Sequence, residues 1–567
     1  MRKRKQLGKT LPWIALIMVL FLACFHMDEA FASTMEESVQ FTSEAAGRAD
    51  LQCRIEGNRI VIQGNVTEDR QTLGGSDSWL YLFELQPYEE GIGIRKDYAA
   101  RIGRESSILI SLPLGSKADQ DKRYSSFVLA AFDGNIYHTI SNRAYVSNPE
   151  VLAGNQKPYK EPGSKKGLLL DGDMLSDALE LGVRNVSVNM TFNQLIGEGI
   201  DYPYGGKIYH FRKEVIQEYD KKISALTDHG ISVTAILLNG WNDSLPQLMP
   251  PGVSKNDYAN YYMFHASTEE GTDALKALAS FLATRYSGED GSKGKISNWI
   301  IGNEINDQVW NYIGPKELEA YVREYVKSFR IFYTAIKSVS SSDRLFFSTN
   351  FYWNEKNPTN LNYSARDVID KFAAISREGG DMDWNLAYHP YAYPLSEPEF
   401  WDDREGGYVT DSPDSYIVNF ENLRVLTDYF HRSELLTRDK AIRHIILSEQ
   451  GFTSQSPARG EVQSLQAAAL AYAYYIADSN PLIDVMLYHR QVDHAIEANA
   501  YAAVGLWKCD MNVSSPFEAV ERKMAWHVYK EIDKESSLET TKFAKEILGI
   551  EKWSEVISDF KWAEYES

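Results

Sequence analysis

Cysteine is nearly missing: Cys24, Cys53 and Cys509 are the only three in 567 residues. That excludes a disulfide framework, so stability must come from a buried core, with a single Cys53–Cys509 bridge the most the later chain allows. Basic residues are also in deficit. The 59 Lys and Arg against 79 Asp and Glu leave a net charge of −20, which argues against nucleic acid and anionic membranes as partners but is compatible with a neutral polysaccharide. There is no His-x-His, His-Glu-x-x-His or paired Cys-x-x-Cys, so no metal is expected. The scattered His389, His489 and His494, with Asp171 and Asp173, keep a metallohydrolase open only as a minor alternative. Gly-x-Ser-x-Gly and the P-loop pattern are absent too, which leaves serine-esterase and P-loop readings without support, and no cofactor is expected.

Only one long apolar run exists, Leu11 to Phe25. It follows Arg2, Lys3, Arg4 and Lys5 and precedes the small-x-small site Ala30-Phe31-Ala32, the layout of a signal peptide over residues 1–32. About 15 apolar residues are short for a hydrocarbon core about 30 Å thick. The expectation is cleavage after Ala32, a secreted or extracytoplasmic protein and no lasting membrane association. Cys24 matches a lipid attachment site poorly.

The remainder, with a whole-chain hydrophobic content of 44% and 24% charged residues, has material for a large core. From about Asp50 to Ser147, short runs such as Arg59–Gln63, Trp79–Phe83, Ile108–Leu112 and Ser126–Ala130 are separated by turns. This spacing predicts an antiparallel β-sandwich in a domain over 33–155. A polar linker follows at 156–166. The rhythm then changes to short apolar runs alternating with helical patterns, the mark of a parallel sheet with crossover helices. Eight strands are predicted, near Leu168, Val186–Asn189, Val233–Leu238, Trp299–Gly302, Leu345–Ser348, Asn385–Tyr388, His444–Leu447 and Val485–Tyr488. Helices are clearest at 174–181, 214–228, 273–285, 316–338, 416–432 and 461–477. The fold class expected is α/β, a (β/α)8 TIM barrel over 167–535, with a helical extension at 536–567 against its outside. Links from helix to strand are short, whereas the loops after strands 3, 5, 6 and 8 are long and aromatic. In a barrel those loops share the C-terminal face, where active sites are built.

Two buried strands end in a carboxylate. Trp299-Ile300-Ile301-Gly302-Asn303-Glu304 closes strand 4 and Ile445-Ile446-Leu447-Ser448-Glu449 closes strand 7. A lone glutamate at a strand end is ordinarily just solvated, but a closed barrel brings these two to one rim. Two facing carboxylates, one a general acid and one a nucleophile, are the minimum for glycoside hydrolysis with retention. On these segments the chain resembles the clan of retaining glycoside hydrolases that includes many cellulases, xylanases, mannanases and β-galactosidases. The resemblance implies Glu304 as acid/base, Glu449 as nucleophile and Asn303 as the partner of the sugar 2-hydroxyl. His389-Pro390-Tyr391 is similar to the clan's His-x-Tyr, which implies a hydrogen bond from Tyr391 to the nucleophile. Two positions depart from the clan: Asn189 stands where many cellulases carry Arg, and Tyr488-His489-Arg490-Gln491 stands where a Trp often underlies the sugar.

Among rim aromatics (Trp241, Tyr261, Tyr262, Trp310, Trp353, Tyr391, Tyr393, Trp401 and Trp507), about half are expected to be packing only. Trp241 and Trp353 are the preferred sugar platforms, and Asn189, His389 and His489 complete the expected substrate-binding set. The main rival is a carbohydrate-binding protein on a barrel that has lost catalysis. The N-terminal domain is expected to be a structural partner rather than a binding module.

Overall fold

A computed structural model describes residues 48–66, 76–115, 121–172, 174–355, 357–512, 514 and 516–566. The expected signal peptide at 1–32, including Cys24, and Asp173 lie outside them. No helix among the described residues is long and apolar enough to cross a membrane.

The N-terminal region forms two antiparallel sheets. Ala49–Glu56, Arg59–Val66 and Ser107–Pro113 make one; Ala100–Gly103, Trp79–Leu85, Ser126–Phe132 and Tyr137–Thr139 make the other, with Ala144–Tyr145 added to Ser126–Phe132. Along Ala49–Glu56 buried and exposed residues alternate strictly, the period of a strand with one face in the core. Its Leu51, Cys53 and Ile55 share one cluster with Leu80, Leu82, Phe127 and Leu129 of the other sheet. Cys53 and Cys509 are both free and buried, so the one bridge allowed by sequence is not made. This region docks on the flank of the barrel. Tyr145 lies under the Arg330 guanidinium, 4.4 Å from ring centroid to charge, and its N–H donates to Gly379 O at 2.7 Å. A Cβ at Gly379 would come within 2.5 Å of the Tyr145 ring, so the close approach requires glycine.

The barrel closes from eight parallel strands in chain order: Lys166–Leu169, Asn185–Thr191, Ser232–Leu238, Asn298–Ile301, Arg344–Asn350, Trp384–His389, Ile445–Gln450 and Ile483–Tyr488, the last pairing with the first. We number these barrel strands 1–8. All eight coincide with the runs read from sequence. Strands 4 and 6 are buried throughout, as expected of parallel strands covered on both faces. Ile236, Leu238, Ile300, Phe346, Ala387, Ile446, Val485 and Leu487 fill the interior. The alternate residues, such as Trp299, Ile301, Leu345, Phe347, Trp384 and Leu386, join the layer beneath the helices.

An outer helix follows each strand: Leu175–Leu181, Lys213–Asp228, Glu269–Tyr286, Leu318–Lys337, Ala365–Glu378, Arg424–Tyr429, Gln463–Ser479 and Met524–Glu531, with short extra helices Phe192–Leu195 after strand 2 and Ala495–Asn499 after strand 8. The sixth is shorter than the 416–432 expected. Asn422 Nδ2 donates to Thr410 O and Ile417 O, pinning residues 415–419 as part of the rim loop. A hairpin, Gly199–Tyr204 with Lys207–Arg212, lengthens the loop after strand 2, an addition that sequence rhythm did not reveal. The C-terminal helices Ser537–Thr540 and Lys542–Leu548 bring Trp553 to within 4.9 Å of the Tyr475 ring on the seventh helix. That explains why Gln463–Ser479 is apolar on nearly every side.

Candidate active site

Two local irregularities aim the two glutamates. Strand 4 stops at Ile301, and Gly302 and Glu304 take φ of 77° and 36°. Left-handed backbone is cheap for glycine but unfavourable by about 1 kcal/mol or more for glutamate. Strand 5 holds it: Glu304 N–H donates to Ser348 Oγ at 2.8 Å and Ile305 N–H to Ser348 O at 2.9 Å. In strand 7 the register against strand 8 shifts between Leu447 and Gln450. Leu447 faces Met486 and Gln450 faces Tyr488, so Ser448 and Glu449 together oppose Leu487. A regular strand would send two successive side chains to opposite faces; a bulge lets both reach the mouth.

There they meet His389, which ends strand 6. Its Nδ1 lies 2.7 Å from Glu304 Oε1 and its Nε2 lies 3.0 Å from Ser448 Oγ. Glu449 Oε2 is 4.0 Å from the same Nδ1. Burial disfavours a charge on this imidazole, but Glu449 and the hydrogen bond with Glu304 outweigh it and raise its pKa above the ordinary value. Tyr391 Oη donates to Glu449 Oε1 at 2.9 Å. Burial, then the Glu449 charge, hold that phenol well above its usual pKa, so it stays a donor. One oxygen of Glu304, one of Glu449 and a ring nitrogen of His389 all lie within 4.8 Å of one another. These atoms are of metal-ligating type, yet both His389 nitrogens already have protein partners, and a cation would have to displace one. The other acids and histidines weighed for a metal, Asp171, His489 and His494, form no such cluster among the described residues.

The remaining expected residues separate into two groups. Asn303, beside Glu304, is buried. Asn189 is exposed near the end of strand 2, while its backbone carbonyl accepts from Tyr219 Oη. His489, half-buried after strand 8, accepts from Arg490 Nε at 3.2 Å; burial drops its pKa to about 3, so it is neutral. Trp241 is half-buried at the rim, its indole N–H on Asp243 and its ring on Tyr262. Trp353 is a correction. It has no exposed surface, its Nε1–H donates to Pro413 O at 3.0 Å, and it packs edge-on against Tyr429. It is core and offers no face to a sugar. Tyr262 is likewise core.

Sequence reading missed several residues at the mouth. Asn350, the last residue of strand 5, bonds Asn306 through both its Oδ1 and its backbone N–H and points Nδ2 at Glu304 Oε2, 3.4 Å away. Its position at a strand end was the available signal. Ser348 and Ser448 gave none. Asp307, three residues past Glu304, is a half-buried carboxyl whose pKa desolvation, and secondarily Glu304, pushes up to about 6.

Fold and site together define a closed parallel-barrel protein with a carboxylate pair and a buried histidine at its C-terminal mouth. The chain belongs to DUF5722, a family of unknown function, whose model matches residues 158–556. No curated protein matches it. Among solved structures it is similar to a family 39 glycoside hydrolase from the gut symbiont Bacteroides cellulosilyticus WH2 (17% identity, 84% of this chain and 80% of that one, TM-score 0.44). It is also similar to a hyperthermophilic β-glucosidase from Pyrococcus furiosus (16% identity, 66% and 86%, TM-score 0.41). A family 1 β-glucosidase from Thermotoga maritima is a third (13% identity, 63% and 84%, TM-score 0.39).

Proposed function

We propose that the protein is an exported retaining glycoside hydrolase acting on a poly- or oligosaccharide, with Glu304 as acid/base and Glu449 as nucleophile. The observation that carries this reading is that the two carboxylates converge on one point, an oxygen of Glu304 and an oxygen of Glu449 lying within 4.8 Å of each other. Double displacement uses a pair about 5–5.5 Å apart, whereas inversion needs about 6.5–9.5 Å to admit a water. In the first step Glu449 bonds to the anomeric carbon as the glycosidic C–O bond breaks, and the proton of Glu304 passes to the departing oxygen. In the second, Glu304 takes a proton from water, whose oxygen displaces Glu449 from that carbon.

The surroundings suit unequal roles. Tyr391 occupies Oε1 of Glu449 and leaves Oε2 to attack. His389 occupies Oε1 of Glu304, so the transferable proton belongs on Oε2, which only Asn350 Nδ2 approaches, at 3.4 Å. Glu449 is the more accessible of the two, with 24% of its side chain exposed against 11% for Glu304, as a group that must reach carbon requires. The N-terminal domain over 33–155, whose two sheets lie between Ala49 and Tyr145, acts in this reading as a sandwich-like structural partner of a barrel over 167–535.

A second reading has one observation in its favour: Ser448, His389 and Glu304 are connected as in a Ser-His-Glu hydrolase triad. Ser448 is only 2% exposed, and a nucleophile so enclosed cannot meet an acyl carbon. The test is a glycan panel assayed with wild type, Glu449→Gln, Glu304→Ala and Ser448→Ala. Glu449→Gln is expected to lose turnover, and Glu304→Ala to lose about 10²- to 10⁴-fold on unactivated substrates. The sugar first released should keep the substrate's anomeric configuration by NMR. Unchanged hydrolysis in both glutamate variants sinks the assignment, and loss confined to Ser448→Ala, on esters, favours the triad.

A further inference from the structure

The second N-terminal sheet carries a feature that its docking on the barrel does not explain. Its edge strand is Ala100–Gly103, paired with Trp79–Leu85. Where that strand ends lies a cleft of about 600 Å³, lined by Ser78, Gly103, Arg104, Glu105, Ser106 and Ser107. Arg104 is half-buried, and its N–H donates to Ser78 O at 3.2 Å. Its side-chain Nε and Nη2 are shielded from bulk water yet meet no protein acceptor.

Those two nitrogens form the side of a guanidinium that grips a carboxylate through two parallel hydrogen bonds. Arg95, in the same domain, uses that side on Asp97, Nε to Oδ1 at 3.1 Å and Nη2 to Oδ2 at 2.9 Å. The acids next to the cleft in sequence do not answer the Arg104 fork. Asp77 is taken by Trp79 N–H at 3.0 Å and by Tyr81 Oη at 2.7 Å, and Glu105 is exposed and makes no hydrogen bond to the fork. Buried donors without a partner are destabilising, and a bound oxyanion offsets that cost.

The surroundings of the fork suit a sugar. Trp79 stands opposite Gly103 across the two strands, on the same face. The tryptophan is 38% exposed, with the Arg101 guanidinium 4.6 Å from its ring centroid. A Cβ at Gly103 would meet nothing within 4 Å, so there is room for a ring beside the indole. Ser78, Ser106 and Ser107 are exposed and bring hydroxyls to the same cleft. Arg101 and Arg104 concentrate positive charge here in a chain whose net charge is −20.

We infer that this cleft binds an acidic saccharide, with the carboxylate of a uronic acid on the Nε–Nη2 fork of Arg104 and the sugar ring against Trp79. The carboxylate follows from the fork alone; that a sugar carries it rests on the exposed indole and on the catalytic reading above. The N-terminal domain then does more than support the barrel: it holds the protein on an acidic polysaccharide, on a different domain from the carboxylate pair.

The full-length Glu449→Gln protein is titrated calorimetrically with oligomers of galacturonate, glucuronate, mannuronate and guluronate, with their methyl esters, with inorganic sulfate and with an acidic peptide. Arg104→Lys, Gly103→Leu and Trp79→Ala are compared in the same background, and wild-type hydrolysis of the same oligomers is followed separately. Arg104→Lys keeps the charge but removes the fork, and Gly103→Leu fills the cleft without touching the arginine. At least one uronate oligomer is expected to bind, and its methyl ester about 10- to 100-fold more weakly. Affinity should fall about tenfold or more in Arg104→Lys and Gly103→Leu, and about three- to tenfold in Trp79→Ala.

No binding of any uronate overturns the site, as does affinity unchanged in Arg104→Lys or in Gly103→Leu, or equal for acid and ester. Sulfate or the peptide held more tightly than every uronate overturns the saccharide. Uronate binding that depends on Arg104, in a wild type that cleaves no glycan, sinks the catalytic reading and leaves the cleft standing.

Discussion

The two ends of the barrel treat buried charge in opposite ways. At the closed end, Arg443 enters strand 7 with its guanidinium saturated. Nε donates to Leu435 O, Nη1 to Met382 O and Trp384 O, and Nη2 to Asp381, all between 2.7 and 3.2 Å. Lys166, at the start of strand 1, is held by Asp533, Tyr529 O and Lys530 O. At the open end, Glu304 and Glu449 each have one short contact and one oxygen without one. A charge that only holds structure is best fully paired, whereas one that must bond to a substrate needs an unspent lone pair. The contrast supports placing the proposed chemistry at the open end.

Breaking the saturated end should unfold the protein rather than poison it. Arg443→Ala strands Asp381 and removes the carbonyls' donors, and about 3–5 kcal/mol of stability is expected to go. Chemical denaturation measures it. The residual folded fraction should keep its turnover per active site. A stable Arg443→Ala with lost activity would erase the distinction between the ends.

At the open end a single hydrogen bond can be removed without emptying the core. Tyr391→Phe takes away the donor on Glu449 Oε1. A bond to a charged group is worth about 1.5–3 kcal/mol, so kcat/KM should fall about 10- to 100-fold while the melting temperature hardly moves. Equal rates in the two proteins would show that the phenol does not prepare the nucleophile.

These residues also mark how far sequence could see. All eight strands were legible because each is an apolar run ended by a turn, and the two glutamates were legible because they end such runs. The bulge was not: Ser448 and Glu449 look like consecutive strand positions that should face apart, and only pairing with Leu487 shows that they do not. Nor was the fate of the aromatics after strand 5. Phe351, Tyr352 and Trp353 are adjacent and equally apolar, yet the first two stay accessible and Trp353 turns into the core. Side-chain direction in an irregular loop follows tertiary contacts, here Pro413 and Tyr429, and leaves no periodic trace.

Acid should separate the ends again. His489 has a folded pKa of about 3, below its ordinary value of about 6.5, because burial opposes its charge. The unfolded chain takes up this proton as pH drops below about 6.5, while the folded chain resists until about 3. Stability tied to His489 is therefore full above neutrality and declines across that window. Between pH 7 and 5, wild type should lose about 1–2 kcal/mol more than His489→Asn. Parallel stability curves for the two proteins would mean that this imidazole is already charged in the fold.

The smallest effect expected is at Trp241, the one preferred platform that the fold leaves partly exposed. Its indole N–H is engaged by Asp243 and one edge packs on Tyr262, at 5.0 Å between centroids, so only part of the ring could meet a ligand. Trp241→Ala should raise KM on oligosaccharides less than about tenfold and leave kcat alone, the pattern of a contact equal in ground and transition states. Trp353→Ala, a similar ring on the same rim, should instead cost about 3–5 kcal/mol of stability through the cavity it leaves. Denaturation and kinetics on the pair would read the boundary between binding surface and core directly, since one tryptophan moves only KM and the other only the unfolding midpoint.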